Sequence, residues 1–150
     1  MVHIEGSIVI GKPIEEVFTA VADPTLEPRY NAIMASSEKV TSGPVRVGTR
    51  FRDVTHGFGG GEMTVEVTEI DAPHRFRTRT ASDRMTTEGG LGLRTVAGGT
   101  ELSWSWDLRL LGWARATTPL VAVFGQRLER RTWAGLKRYL EQRPAPAPAG

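Results

Sequence analysis

Residues 117–142 read TTPLVAVFGQRLERRTWAGLKRYLEQ. Leu120, Phe124, Leu128, Trp133, Leu136 and Leu140 recur near the helical repeat, and Val121 and Val123 widen the apolar stripe at its start. Arg127, Glu129, Arg130, Lys137, Arg138 and Glu141 fall mainly on the other side. The Thr118 hydroxyl is placed to cap the helix, and Pro119 suits the first helical position, where a missing N–H costs nothing. At 1.5 Å per residue the helix spans about 35–39 Å, enough to cross a small domain. So long an apolar stripe needs a large partner surface, and the rest of the chain offers strands to supply it.

Those strands show as alternation. His3 to Ile10 keeps Ile4, Ile8 and Ile10 on one parity. Pro13 then opens a short helix with Glu15 and Glu16 in its first turn, and Asp23-Pro24 ends it. A second helical turn is expected over Leu26 to Tyr30, followed by strands near 36–41 and 49–56. Glu62 to Thr68 alternates cleanly, with Met63, Val65 and Val67 on the buried parity. Phe76 repeats the pattern against Arg75, Arg77 and Arg79. Met85 to Val96 reads as a weaker strand, interrupted at Gly89, Gly90 and Gly92. In the last strand Leu102, Trp104, Trp106, Leu108 and Leu110 share one face.

Composition bounds the function. With 150 residues, 39% hydrophobic and 24% charged, the chain fits one domain over 1–143. The Pro/Ala tail 144–150 has no side chains for a core and is expected to be disordered. No cysteine is present, which excludes disulfides, thiol nucleophiles and cysteine metal sites. No metal-ligand spacing occurs either, so neither metal nor cofactor is expected. The absence of a charged-then-apolar leader predicts a cytoplasmic location. The most apolar run, Leu108 to Phe124, contains Arg109, Arg115 and Pro119, so stable membrane insertion is not expected. The net charge of +2 is small, and no aromatic residues interleave with the basic cluster on the helix, so nucleic-acid binding is not expected.

Among candidate chemical groups, Asp53 has two readings. If Arg50 and Arg52 face solvent, parity turns Phe51, Asp53 and Thr55 inward, and a carboxyl in an apolar cavity has general-base potential. The more ordinary reading is an acid at a strand end or bulge, paired to an arginine. His56 begins the glycine-rich hairpin Gly57 to Gly61 and can work with Asp53 at a cavity entrance, although a loop histidine is ordinarily solvent-exposed. That hairpin lacks the Gly-Lys-Ser/Thr ending of a phosphate loop and reads instead as a lid.

Several segments together resemble the START/Bet v1-like (SRPBCC) superfamily, in particular its polyketide cyclase/dehydrase-like group. They are residues 8–18 (IVIGKPIEEVF), 22–24 (ADP), 28–31 (PRYN), 47–51 (VGTRF), 99–102 (GTEL) and the final helix. The resemblance covers about residues 2–142. It implies an α+β helix-grip fold, in which a curved antiparallel sheet of about seven strands wraps a long C-terminal helix, with two short helices after the first strand. It also implies a hydrophobic tunnel between helix and sheet, and it places Tyr30 and Asn31 near one end of that tunnel.

Three functions follow as expectations. The leading one is binding of a small or medium hydrophobic molecule, such as a lipid, polyketide or sterol-like compound. Its lining would come from Tyr30, Asn31, Phe51, Met63, Val65, Val67, Phe76, Trp104, Trp106, Leu120, Phe124 and Leu128. The alternative is a cyclase/aromatase-type enzyme using Asp53, His56 and Tyr30 as acid–base groups. The third is a protein-interaction module with a filled core. The protein is expected to be a monomer or homodimer.

Overall fold

The structure is a computed structural model and describes residues 1–56 and 61–143. Of the glycine-rich hairpin only Gly61 falls within the described residues, and the Pro/Ala tail lies outside them. Strand β1 (Val2–Ile10) leads into helix α1 (Ile14–Val21) and a 3-10 turn (Pro24–Arg29). Strands β2 (Met34–Lys39), β3 (Arg50–Thr55), β4 (Gly61–Asp71), β5 (Arg75–Ala81), β6 (Met85–Val96) and β7 (Gly99–Leu110) follow in succession. A second 3-10 turn (Gly112–Thr117) feeds helix α2 (Thr118–Glu141). The sheet order is β1-β7-β6-β5-β4-β3-β2, antiparallel throughout, and the whole is a helix-grip fold.

Alternation in the sequence sets the two sheet faces. Phe51, Val65, Val67, Phe76, Leu91, Leu93, Leu102 and Trp104 are buried on the inner one. On the outer face of β2 to β6, arginines and glutamates face each other across strands, as in Arg52–Glu38 and Arg79–Glu88, both at 2.8 Å. Such exposed pairs add little stability but keep the face wet. The glycines of β6 do not interrupt it. A Cβ at Gly89 would lie 2.0 Å from the Ser105 carbonyl oxygen, and one at Gly90 would lie 2.4 Å from that of Phe76. Glycine there lets neighbouring backbones approach closely, so the run is one continuous strand rather than a broken one.

Helix α2 departs from its sequence reading in two ways. Neither threonine caps it through its side chain: the Thr118 hydroxyl donates back to the Arg115 carbonyl, and the Thr117 hydroxyl to that of Ala114, so the preceding 3-10 turn forms the entry. The buried stripe is also rotated. Trp133, Leu136 and Leu140 are buried as expected, but Leu120 and Phe124 are each 51% exposed, Val123 58% and Leu128 40%. The cause is Gly125, where a Cβ would lie 2.5 Å from Ile4 Cδ1 on β1. At 3.6 residues per turn this contact directs Val121, Gly125, Glu129, Thr132 and Leu136 toward the sheet and leaves the leucine and phenylalanine row on a flank.

The two interior glycines of α2 make opposite predictions. A Cβ at Gly135 would stand 2.2 Å from the Tyr30 carbonyl oxygen, which is backbone and cannot move alone. Gly135→Ala is therefore expected to cost about 1–3 kcal/mol, despite alanine's higher helix propensity. Gly125→Ala meets only the end of the Ile4 side chain, which can turn aside, so it is expected to be neutral or stabilising by up to about 1 kcal/mol. Urea denaturation of both variants checks the contrast, and equal stabilities would contradict the seating of α2 on Tyr30.

Candidate functional site

The chain places a polar and aromatic cluster where the first 3-10 turn, β3, β7 and α2 come together. Asp23 starts that turn by accepting from the Thr25 N–H at 3.1 Å, and the turn ends with the Tyr30 N–H donating to the Glu27 carbonyl at 3.0 Å. Buried Asn31 donates through Nδ2 to Glu27 Oε1 at 2.9 Å and accepts from the Ile33 N–H at 3.2 Å. This fixes the Glu27 carboxyl on the inner side of the turn.

A row of rings continues from there. The Tyr30 ring lies 6.2 Å from Trp133 and 6.3 Å from Tyr139, and Trp133 stacks on Trp104 at 6.2 Å. Glu129 joins the row to the sheet. Its Oε2 accepts from Trp133 Nε1 at 2.8 Å within α2 and from Trp106 Nε1 at 2.9 Å, so one carboxyl oxygen gathers two indoles and, through Trp106, ties α2 to β7. Burial still raises the Glu129 carboxyl above the ordinary range, with the two indole N–H groups pulling the other way.

Asp53 points inward and is only 3% exposed. The arginine-paired reading fails, because Arg50 and Arg52 on the opposite face pair with Glu66 at 3.6 Å and Glu38 at 2.8 Å. Asp53 Oδ1 has no hydrogen-bond partner, and desolvation raises its carboxyl. The Ser37 hydroxyl across the β2–β3 register opposes that shift without reaching hydrogen-bond geometry. Glu27 is pushed up to about 7, chiefly by burial, with Asn31 lowering it and the charges of Asp53 and Glu129 adding to the rise. Burial also holds the Tyr30 phenol well above its usual value, and Glu27 is the leading charge behind the remainder. None of the three carboxyls forms an ion pair among the described residues. Glu27, raised to about 7, can hold a proton near neutrality, donating to a carbonyl oxygen when protonated and accepting a proton when not.

The remaining expected residues divide three ways. Phe51, Val65, Val67, Phe76, Trp104 and Asn31 are buried, while Met63, Trp106 and Tyr30 are half-buried. Leu120, Phe124 and Leu128 stand exposed. His56 is exposed just beyond β3, with its backbone N–H on the Ile33 carbonyl at 2.8 Å, and its ring makes no hydrogen bond or ion pair among the described residues. Glu27 and Glu129 were not foreseen in these roles. The signal for Glu129 was Gly125 one turn earlier, since a glycine inside an apolar helix marks the face of close approach. For Glu27 it was Asn31 four residues on. Among the described residues no group of three His, Cys, Asp or Glu could hold a metal ion, and no helix is long and apolar enough to cross a membrane.

Comparison with known proteins agrees with this architecture. The family model described as "Polyketide cyclase / dehydrase and lipid transport" matches residues 1–141. A conserved protein from Geobacillus kaustophilus superposes with a TM-score of 0.79 at 16% identity, over 94% of this chain and 96% of that one. A START superfamily protein from Mycobacterium smegmatis superposes with a TM-score of 0.78 at 14% identity, covering 93% and 97%. The protein Ara h 8.0201 gives 0.72 at 16% identity, covering 94% and 98%. These identities establish a shared fold and nothing finer. Among curated proteins, none matches the chain significantly. With its family model matched over nearly its whole length, the chain belongs to the polyketide cyclase/dehydrase and lipid transport family.

Proposed function

We propose that the protein binds a small or medium hydrophobic molecule, lipid-, polyketide- or sterol-like, in a tunnel between the curved sheet and α2. The observation that carries this reading is the pairing of an apolar inner wall, including Phe51, Val65 and Val67, with buried polar atoms that have no partner, Asp53 Oδ1 and Trp104 Nε1. Buried polar atoms are ordinarily satisfied, and an apolar ligand carrying a few oxygens would satisfy them. Membership in a family whose description includes lipid transport supports the same reading. Native mass spectrometry, followed by denaturing extraction, tests it. The expected result is a stoichiometric apolar adduct, or thermal stabilisation by a member of a fatty acid, sterol and aromatic polyketide panel. A clean apo mass with no stabilisation would overturn it in favour of a protein-interaction role.

The enzymatic alternative rests on a separate observation, the juxtaposition of Glu27, Asp53 and Tyr30. In this reading Asp53 takes a proton α to a ligand carbonyl while protonated Glu27 or Tyr30 donates to the carbonyl oxygen, promoting aldol closure and dehydration. Asp53→Asn separates the two readings. Lost turnover with unchanged ligand affinity identifies an enzyme, whereas no turnover in either protein identifies a carrier.

A further inference from the structure

The outward face of the 3-10 turn Gly112–Thr117 and of the first half of α2 combines two features that no interior contact explains. The first is exposed apolar surface: Trp113 is 70% exposed, Val123 58%, and Leu120 and Phe124 51% each. The second is charge of one sign. Arg115, Arg127, Arg130 and Arg131 are all exposed, and none forms an ion pair among the described residues. The only acidic residue between Gly112 and Arg131 is Glu129, whose carboxyl is turned inward onto Trp106 and Trp133.

These side chains are arranged in order along the helix. At 3.6 residues per turn Val123, Arg127, Leu120, Arg131 and Phe124 fall within about 100° of arc, opposite the Gly125 contact with Ile4. The first turns of the arc are apolar and the later ones basic. Beside its start, a groove of about 610 Å³ is lined by Arg109, Leu110, Leu111 and Arg115 among others, so Arg109 joins Arg115 in flanking the apolar end.

We infer that this face docks peripherally on an anionic lipid bilayer, with Trp113, Leu120, Val123 and Phe124 entering the interface and the arginines meeting lipid phosphates. An amphipathic helix with a basic polar border binds such surfaces through apolar burial plus electrostatic attraction, without spanning them. Other occupants fit less well. A second copy would set two arginine-rich faces against each other. Single-stranded nucleic acid would want a row of flat aromatic platforms, whereas of the four apolar side chains only Trp113 and Phe124 are aromatic and Leu120 and Val123 are aliphatic. The inference stands whether or not the interior takes a ligand.

Co-sedimentation of the full chain with vesicles tests it. Vesicles of phosphatidylcholine with 30% phosphatidylglycerol (about a physiological anionic fraction) are compared with pure phosphatidylcholine. Binding is expected to the anionic vesicles only, and to weaken with added salt. Leu120→Ser/Phe124→Ser and Arg127→Glu/Arg131→Glu are each expected to reduce it by about tenfold or more. All four residues are exposed, and circular dichroism confirms that the variants remain folded. Brominated lipid should quench the parent more than Trp113→Phe. Absence of binding to anionic vesicles, or binding unchanged in both double variants, overturns the inference. So does a concentration-dependent dimer abolished by Leu120→Ser/Phe124→Ser, which would assign the face to a second copy.

Discussion

Glu129→Ala is expected to be among the most destabilising single substitutions in this chain, with a loss of about 2–4 kcal/mol at neutral pH. The reason lies in what is left behind. Trp106 on β7 and Trp133 on α2 both donate to the same carboxyl oxygen, at 2.9 and 2.8 Å. Truncation takes the acceptor from both indole N–H groups, of which that of buried Trp133 costs about 1–3 kcal/mol when unsatisfied and that of half-buried Trp106 less. Part of that loss is offset, because burial already disfavours the ionised carboxyl. Glu129→Gln keeps an acceptor oxygen and sheds the charge, so it should stay within about 1 kcal/mol of the parent. Urea denaturation followed by tryptophan emission reads both variants. If alanine and glutamine prove equally harmless, the indole clamp does not hold α2 to the sheet.

Glu27 governs the second large effect, a stability that falls as pH rises. Its folded carboxyl is pushed up to about 7 from an ordinary 4.5. Between those values the folded state keeps a proton that the unfolded chain gives up, so raising the pH favours unfolding. The contribution is fully present below about 4.5 and is lost as pH passes through about 7, a swing on the order of 3 kcal/mol. Asp53 and Glu129 are shifted in the same direction and add to the trend. Glu27→Gln retains an oxygen for Asn31 Nδ2 but cannot ionise. It should flatten the pH dependence and stabilise the protein at pH 8 by up to about 3 kcal/mol. Denaturation curves at pH 5 and pH 8 give the comparison. Parallel pH dependence in parent and variant would place the Glu27 carboxyl in water rather than in the interior.

Much of this molecule was legible in residue order. Period-two alternation in Glu62 to Thr68 and in Glu101 to Leu110 assigned the buried parity correctly, because a strand has only two faces. Parity also turned Asp53 inward once Arg50 and Arg52 were sent to solvent. A helix has no such binary choice. Its apolar arc over 120–140 is broad, and a rotation of about 100°, one residue along the helix, separates the row through Leu120, Phe124 and Leu128 from the row that meets the sheet. That rotation moved Glu129 from the expected outer side to the indole clamp and left Leu120 and Phe124 exposed.

The sequence by itself determined the strand faces, the element order, the long final helix and the family. Each of these is written in local periodicity or in short segments, where neighbouring residues carry the signal. Tertiary structure alone decided which side of α2 faces the sheet, that Glu27, Asp53 and Glu129 share one interior, and that Gly135 admits the Tyr30 backbone. These outcomes depend on close approach between segments roughly 20–100 residues apart, and burial and carboxyl acidity exist only once those segments have met.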